Sequence, residues 1–168
     1  RFYRIPVVVH DSDSVPGLTS KITARVAEVV CVSFKETEEY FADVKGKVVF
    51  TGNPVRNSLF HEEMSQDKAK TLLGFNKQIP LILIFGGSQG AERINDFILD
   101  NLAELLDFAQ IFHQTGEKNY ESVIKEFGVI EKELSEGSLE RYKAIDYISD
   151  VHIPLTASDL VIARAGAN

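Results

Sequence analysis

Leu81-Ile82-Leu83-Ile84-Phe85-Gly86-Gly87-Ser88-Gln89-Gly90-Ala91 is the stretch on which the reading of the fold depends. Its first half is apolar at every position, as a strand covered by helices on both faces must be. Glycines follow at once, and beyond them the apolar period changes. Ile94, Phe97, Ile98, Asn101, Leu102 and Leu105 recur at helical spacing on one face, while Glu92, Asp96, Asp100 and Glu104 point away. A buried strand, a glycine turn and an amphipathic helix, in that order, predict the opening of a doubly wound nucleotide-binding domain.

Outward from that stretch, further β-rich runs at 5–10, 28–34, 47–52, 109–115, 143–148 and 159–164 alternate with helical segments. This βαβ rhythm predicts an α/β fold with parallel sheets. The rhythm breaks at Thr51-Gly52-Asn53-Pro54-Val55-Arg56, where Pro54 removes a donor and forces Asn53 out of helical geometry. A polar helix at 65–73 and a loop separate that break from the strand at 79–87. The expected organisation is two Rossmann-like pieces, 1–56 and 57–168.

Composition narrows the function. The 168 residues are 44% hydrophobic and 26% charged, as in an ordinary globular protein. Lys and Arg number 18 against 25 Asp and Glu, a net charge of −7, which argues against a sequence-independent grip on nucleic acid. The one cysteine, Cys31, excludes a disulfide framework or a thiolate metal cluster within this chain and fits a reducing cytoplasm. No apolar run reaches the ~18 residues a bilayer span needs. The opening Arg1-Phe2-Tyr3-Arg4, without an initiator Met or a signal-peptide core, and the ending Ala165-Gly166-Ala167-Asn168 lead us to expect an internal piece of a longer protein.

The glycine turn carries the best chemical signal. Glycines admit close backbone approach, and the free amides of a helix start favour an anion, so the turn suits a phosphate or diphosphate, with Gly87, Ser88, Gln89 and Gly90 as contacts. The alternative is a tight turn in which Ser88 caps the helix. The turn lacks the Lys-Ser/Thr ending of a Walker A loop and does not match G-x-G-x-x-G. The next strand ends Phe112-His113-Gln114-Thr115-Gly116, without the acidic residue that NAD needs about 20 residues on. NAD is therefore disfavoured.

Arg56 offers a planar fork for phosphate oxygens, or is a surface arginine after a proline turn. His10-Asp11-Ser12-Asp13 emerges at a strand C-terminus, where open α/β sheets bind ligands. His10 or Asp11 is a candidate base, with metal binding or helix capping as the alternatives. His113 is expected to be a hydrogen-bonded structural residue. Tyr147-Ile148, and the small residues after Arg164 up to Ala167, are candidates to line a base or sugar pocket.

Five blocks in order resemble the MurG glycosyltransferases: His10 to Thr19 with its Pro-Gly-Leu-Thr; Thr51 to Arg56; Phe85 to Ala91 with Asn95; His113-Gln114-Thr115-Gly116; and Ala157 to Ala167. The resemblance implies a GT-B fold, with 1–56 belonging to the acceptor-side domain and 57–168 to the domain that binds the donor. It implies transfer of N-acetylglucosamine, with inversion, from UDP-N-acetylglucosamine to undecaprenyl-diphosphate-linked muramoyl-pentapeptide. No metal and no cofactor are implied, and the location would be peripheral, on the cytoplasmic side of the bacterial membrane. Residue by residue, it implies that Ser88 and Gln89 contact the donor diphosphate or sugar and Arg56 the diphosphate. Ile148 would meet the uracil and Ala167 the donor, both through their backbone.

One departure stands out. Where the family reads His-Glu-Gln-Asn, this chain has His10-Asp11-Ser12-Asp13, so Asp13 replaces the amide expected at the sugar. An ionised Asp13 accepts hydroxyl hydrogen bonds but donates none. By the same resemblance, the glycine-rich N-terminal segment and the ribose-binding acidic residue lie outside the chain, so the piece alone is expected to be inactive. Two further readings are a UDP-N-acetylglucosamine epimerase-like enzyme and a non-catalytic nucleotide-sugar-binding module.

Overall fold

The computed structural model describes residues 5–55, 64–87 and 89–164. The chain divides into two compact units that change over between Asn57 and Ser58.

The first unit holds β1 (Val8–Asp11), α1 (Leu18–Ala24), β2 (Val29–Val32), a 3-10 helix (Lys35–Phe41) and β3 (Lys47–Phe50). The strands are parallel in the order β1-β2-β3. Val30, Val32, Ala24, Ala27 and Phe41 form its core, joined by the half-buried Val7, Val9, Val44 and Val48. The β-branched runs that predicted these strands are thus the residues that pack between sheet and helix. β1 starts at Val8, three residues later than the apolar run.

The second unit contains α2 (Gln66–Leu72), β4 (Leu81–Phe85), α3 (Glu92–Asp100), α4 (Leu102–Phe108), β5 (Gln110–Gln114), α5 (Tyr120–Ile130), α6 (Glu136–Leu139), β6 (Tyr142–Ile145), α7 (His152–Ala157) and β7 (Leu160–Ala163). Its parallel sheet has the order β6-β5-β4-β7, so the chain moves outward from β4 in one direction and then returns to β4's other side. That reversal between β4 and β7 is a topological switch point. β4 is buried on both faces. Ile82 and Ile84 pack with Ile98, Leu102, Leu106, Ile111 and Val123, while Leu81 and Leu83 pack with Ala69, Phe75, Phe112 and Ala157.

Two expectations need correction here. The single helix expected after the glycine turn is broken at Asn101, whose backbone leaves helical geometry (φ −111, ψ 11) and whose Nδ2 donates to the Phe97 carbonyl at 2.7 Å. The buried stripe runs through Ile94, Asn95, Ile98, Leu99 and Leu102. Phe97, expected on that face, is 59% exposed. The helix also starts at Glu92, with Ala91 at the N-cap position and no side-chain cap.

At the opposite edge of the sheet, the buried Lys70 of α2 donates to Asp159 Oδ2 at 2.6 Å and to the Ile79 carbonyl at 3.0 Å. The Leu81 amide reaches the same carboxylate oxygen, and Gln66 reaches Oδ1. Partial burial pushes the Asp159 carboxyl up, but the hydrogen bonds from Lys70, Leu81 and Gln66, with the Lys70 charge, outweigh it and hold the group below its ordinary value. The resulting stabilisation is present above the ordinary carboxylate range and fades as pH falls through the folded-state value. Asp159→Asn is expected to destabilise the second unit by about 1–3 kcal/mol at neutral pH. It leaves Lys70 buried without its counter-charge, while the 40% exposure of Asp159 screens the loss. Urea midpoints measured between pH 7 and 3 check this, since the gap between variant and parent should close only at the acid end.

Among the described residues no helix is long and apolar enough to cross a membrane.

Candidate functional site

Parallel register brings Ile145, Gln114, Phe85 and Ala163 into one row at the C-terminal edge of the second sheet. The glycine turn leaves this row after Phe85. Gly87 and Gly90 have φ of 84° and 71°, the left-handed region that favours glycine. A Cβ on Gly90 would drive into the Thr115 carbonyl oxygen, so glycine is required there for space as well as conformation.

Three carbonyls of this turn are held by donors from other parts of the unit. Arg164 Nε donates to Gly86 O at 2.7 Å, Gln114 Nε2 to Gly87 O at 3.1 Å, and Asn119 Nδ2 to Gln89 O at 3.2 Å. The Gly90 amide closes the turn onto Gly87 O at 2.8 Å. Carbonyl oxygens repel anions, so tying them to the protein suits the turn to a negatively charged guest.

Beside the turn lies a cavity of about 160 Å³ lined by Phe85, Gly87, Gln114, Tyr147, Ile148 and Val151. The lining is mostly apolar, with a Tyr ring, one amide side chain and backbone polar groups. That mixture suits a flat heteroaromatic ring. Gly87 and Ile148, 61 positions apart in sequence, share this cavity.

His10, Asp11 and Asp13 lie in the first unit, at the C-terminal end of β1. His10 is exposed, with Nε2 at 3.2 Å from the Gly52 carbonyl and 3.4 Å from Ser33 Oγ. Asp11 is buried, and its Oδ1 accepts the Asp13 amide at 2.9 Å, which stabilises the bend after the strand. Asp13 is exposed. Arg56, Ser88 and Ala167 lie outside the described residues. Among the described residues no group of three or more His, Cys, Asp or Glu is arranged to hold a metal ion.

The sequence reading assigned no role to the side chains of Gln114, Asn119 and Arg164, or to Phe85 and Val151 as lining. Asn119 precedes α5 at its N-cap position, yet its amide goes to Gln89 and Thr115 rather than to the helix. An asparagine before a helix reads as a cap, so nothing in the local pattern reveals the longer reach. His113 is the structural residue expected. It is fully buried, with Tyr142 Oη and Asn95 Oδ1 each 3.0 Å from its ring nitrogens, and burial lowers its pKa to about 4.

Residues 81–168, half of the chain, match the glycosyltransferase family 28 C-terminal domain. The chain belongs to that family. Curated relatives extend the likeness over nearly the whole chain. It is 40% identical over 167 residues to the UDP-N-acetylglucosamine–N-acetylmuramyl-(pentapeptide) pyrophosphoryl-undecaprenol N-acetylglucosamine transferase of Acetivibrio thermocellus, covering 98% of this chain and 42% of the relative. The transferase of the same name from Ruminiclostridium cellulolyticum is 39% identical, covering 97% of this chain and 43% of the relative. The crystal structure of Acinetobacter baumannii MurG matches with a TM-score of 0.58 at 30% identity, over 99% of this chain and 42% of that one. Anabaena HepE, solved in complex with UDP and glucose, matches in fold with a TM-score of 0.50 at 18% identity, over 94% of this chain and 46% of its own. The chain thus spans about two fifths of the length of the curated relatives it matches. The MurG resemblance and the GT-B fold class, α/β with parallel sheets, both stand.

Proposed function

We propose that this family 28 chain is part of an inverting N-acetylglucosaminyltransferase that uses UDP-N-acetylglucosamine as donor and undecaprenyl-diphosphate-linked muramoyl-pentapeptide as acceptor. The observation that carries this reading is the adjacency, at the C-terminal edge of β4 and β5, of an anion-suited glycine turn and a ring-sized cavity. A nucleoside diphosphate has that pair of parts, an anion and a flat base. The names of the relatives supply the sugar and the acceptor.

In this reading 57–168 belongs to the donor-binding domain. The uracil lies in the cavity against the Ile148 backbone, and the diphosphate is met by Gly87, Ser88, Gln89 and Gly90, with Arg56 and the Ala167 backbone as further donor contacts. Residues 1–56 belong to the acceptor-side domain. There His10 or Asp11 is the candidate to take the proton from the acceptor hydroxyl, and Asp13 accepts hydrogen bonds from the sugar. The acceptor oxygen attacks the anomeric carbon, and the bond from that carbon to the diphosphate oxygen breaks. UDP leaves with the electron pair, and the donors of the turn stabilise its growing charge. The enzyme works at the cytoplasmic face of the membrane, in peripheral contact through its lipid-linked acceptor.

The test is calorimetric titration of the full-length protein that contains this chain with UDP-N-acetylglucosamine, UDP-glucose and NAD. UDP-N-acetylglucosamine should bind in preference to the other two, and Ser88→Ala and Arg56→Ala should each weaken it about tenfold, the effect of one charge-assisted hydrogen bond. Equal binding of NAD, or no nucleotide-sugar binding by the folded full-length protein, would overturn the proposal.

A further inference from the structure

Asn95, His113, Thr115 and Tyr142 are polar groups in an otherwise apolar core, and none of them lines the cavity. Their hydrogen bonds have one consistent direction. Asn95 Nδ2 donates to the Thr115 carbonyl at 3.0 Å; the reversed amide would set two oxygens face to face. Asn95 therefore presents Oδ1 to His113 Nε2, 3.0 Å away, which must carry the ring hydrogen. Nδ1 is then the acceptor for the Tyr142 hydroxyl at 3.0 Å. The chain runs from Tyr142 to His113 to Asn95 and ends on the Thr115 carbonyl.

That carbonyl is the surface against which Gly90 is seated, with no room for a Cβ between them. Asn119 Nδ2 donates to the same oxygen at 3.2 Å and to Gln89 O at 3.2 Å, tying the turn to it a second time. An apolar trio of similar volume would fill this part of the core without any hydrogen-bond requirement, but it could not aim the carbonyl.

We propose that Asn95, aimed by His113, is a positioning residue for the nucleotide-binding turn, acting through the Thr115 carbonyl on Gly90 and Gln89. The inference rests on reading that turn as the diphosphate site.

Two substitutions of His113 separate positioning from simple stability. His113→Gln can keep a donor near the Nε2 position and so keep the aim of Asn95. His113→Asn keeps a polar group near Nδ1 and loses the bond to Asn95. Both should lower the melting temperature. Only His113→Asn should weaken UDP binding, by about tenfold or more, and quicken hydrogen exchange at the Gly90 amide, whereas His113→Gln should stay within about threefold of the parent. Tyr142→Phe, which preserves the ring, is the milder arm, with a weakening of about two- to fivefold expected even if His113→Asn does not fold. Equal UDP affinity across the folded variants, with unchanged Gly90 exchange, overturns the positioning role. Absence of UDP binding by the full-length parent protein overturns the functional reading instead, and the Gly90 exchange comparison then still decides the positioning role.

Discussion

Gly90→Ala is expected to destabilise the second unit by about 3 kcal/mol or more and to abolish nucleotide binding. Two penalties coincide. A left-handed φ of 71° is costly for any residue with a side chain, and here the added Cβ points at the Thr115 carbonyl oxygen, which is backbone and cannot rotate away. Relief requires the turn to lift from the end of β5. Such a lift breaks the hydrogen bonds that Asn119 and Gln114 make to Gln89 and Gly87. Because the chain has two units, the measurement should be local: hydrogen exchange at the amides of β4 and β5, together with UDP titration. Gly17→Ala is a fitting control, since a Cβ there meets nothing within 4 Å and φ is −68°. Parental exchange and affinity in Gly90→Ala would refute the close-approach argument.

Stability of the second unit is expected to fall by about 3 kcal/mol between pH 6.5 and 4, and His113→Gln should remove most of that dependence. Burial disfavours the charged imidazolium and lowers His113 from its ordinary 6.5 to about 4. Between those values the unfolded chain binds a proton that the folded chain does not, so stability rises with pH across the window. Below about 4 both states are protonated and the contribution is gone. Protonation also places a hydrogen on Nδ1, the atom that accepts from Tyr142, whose own hydroxyl is pushed to high pKa by burial and by Tyr120. The Asp159 effect sits at lower pH, so the two are separable in one series of urea midpoints. A flat profile from pH 7 to 4.5 in the parent would show that His113 is not held neutral.

Much of the fold was legible because parallel strands buried on both faces leave a continuous apolar run. Leu81 to Phe85 could be nothing else once a glycine turn and a helical period followed it. The ends were less legible, because they depend on single backbone groups: Ala91 takes the N-cap position of α3 with no side-chain cap to mark it in the sequence. Helical spacing puts Phe97 on the apolar face, yet the residue is exposed. The buried stripe instead runs through Asn95, which earns its place by bonding to His113 and Thr115.

The sequence by itself determined that this is an α/β chain with parallel strands, that a glycine turn follows a continuously apolar strand, and that its motifs resemble those of a glycosyltransferase family. All of these are local: runs of apolar residues, a change of period, and residue types at short spacing. Only the tertiary structure decided that Ile148 shares a cavity with Gly87, that Asn119, Gln114 and Arg164 hold the turn's carbonyls, and that His113 aims Asn95 at Thr115. Those contacts join residues from 18 to 78 positions apart. Parallel pairing joins strands through crossovers that are long in sequence, so which of these residues meet is decided by the tertiary fold.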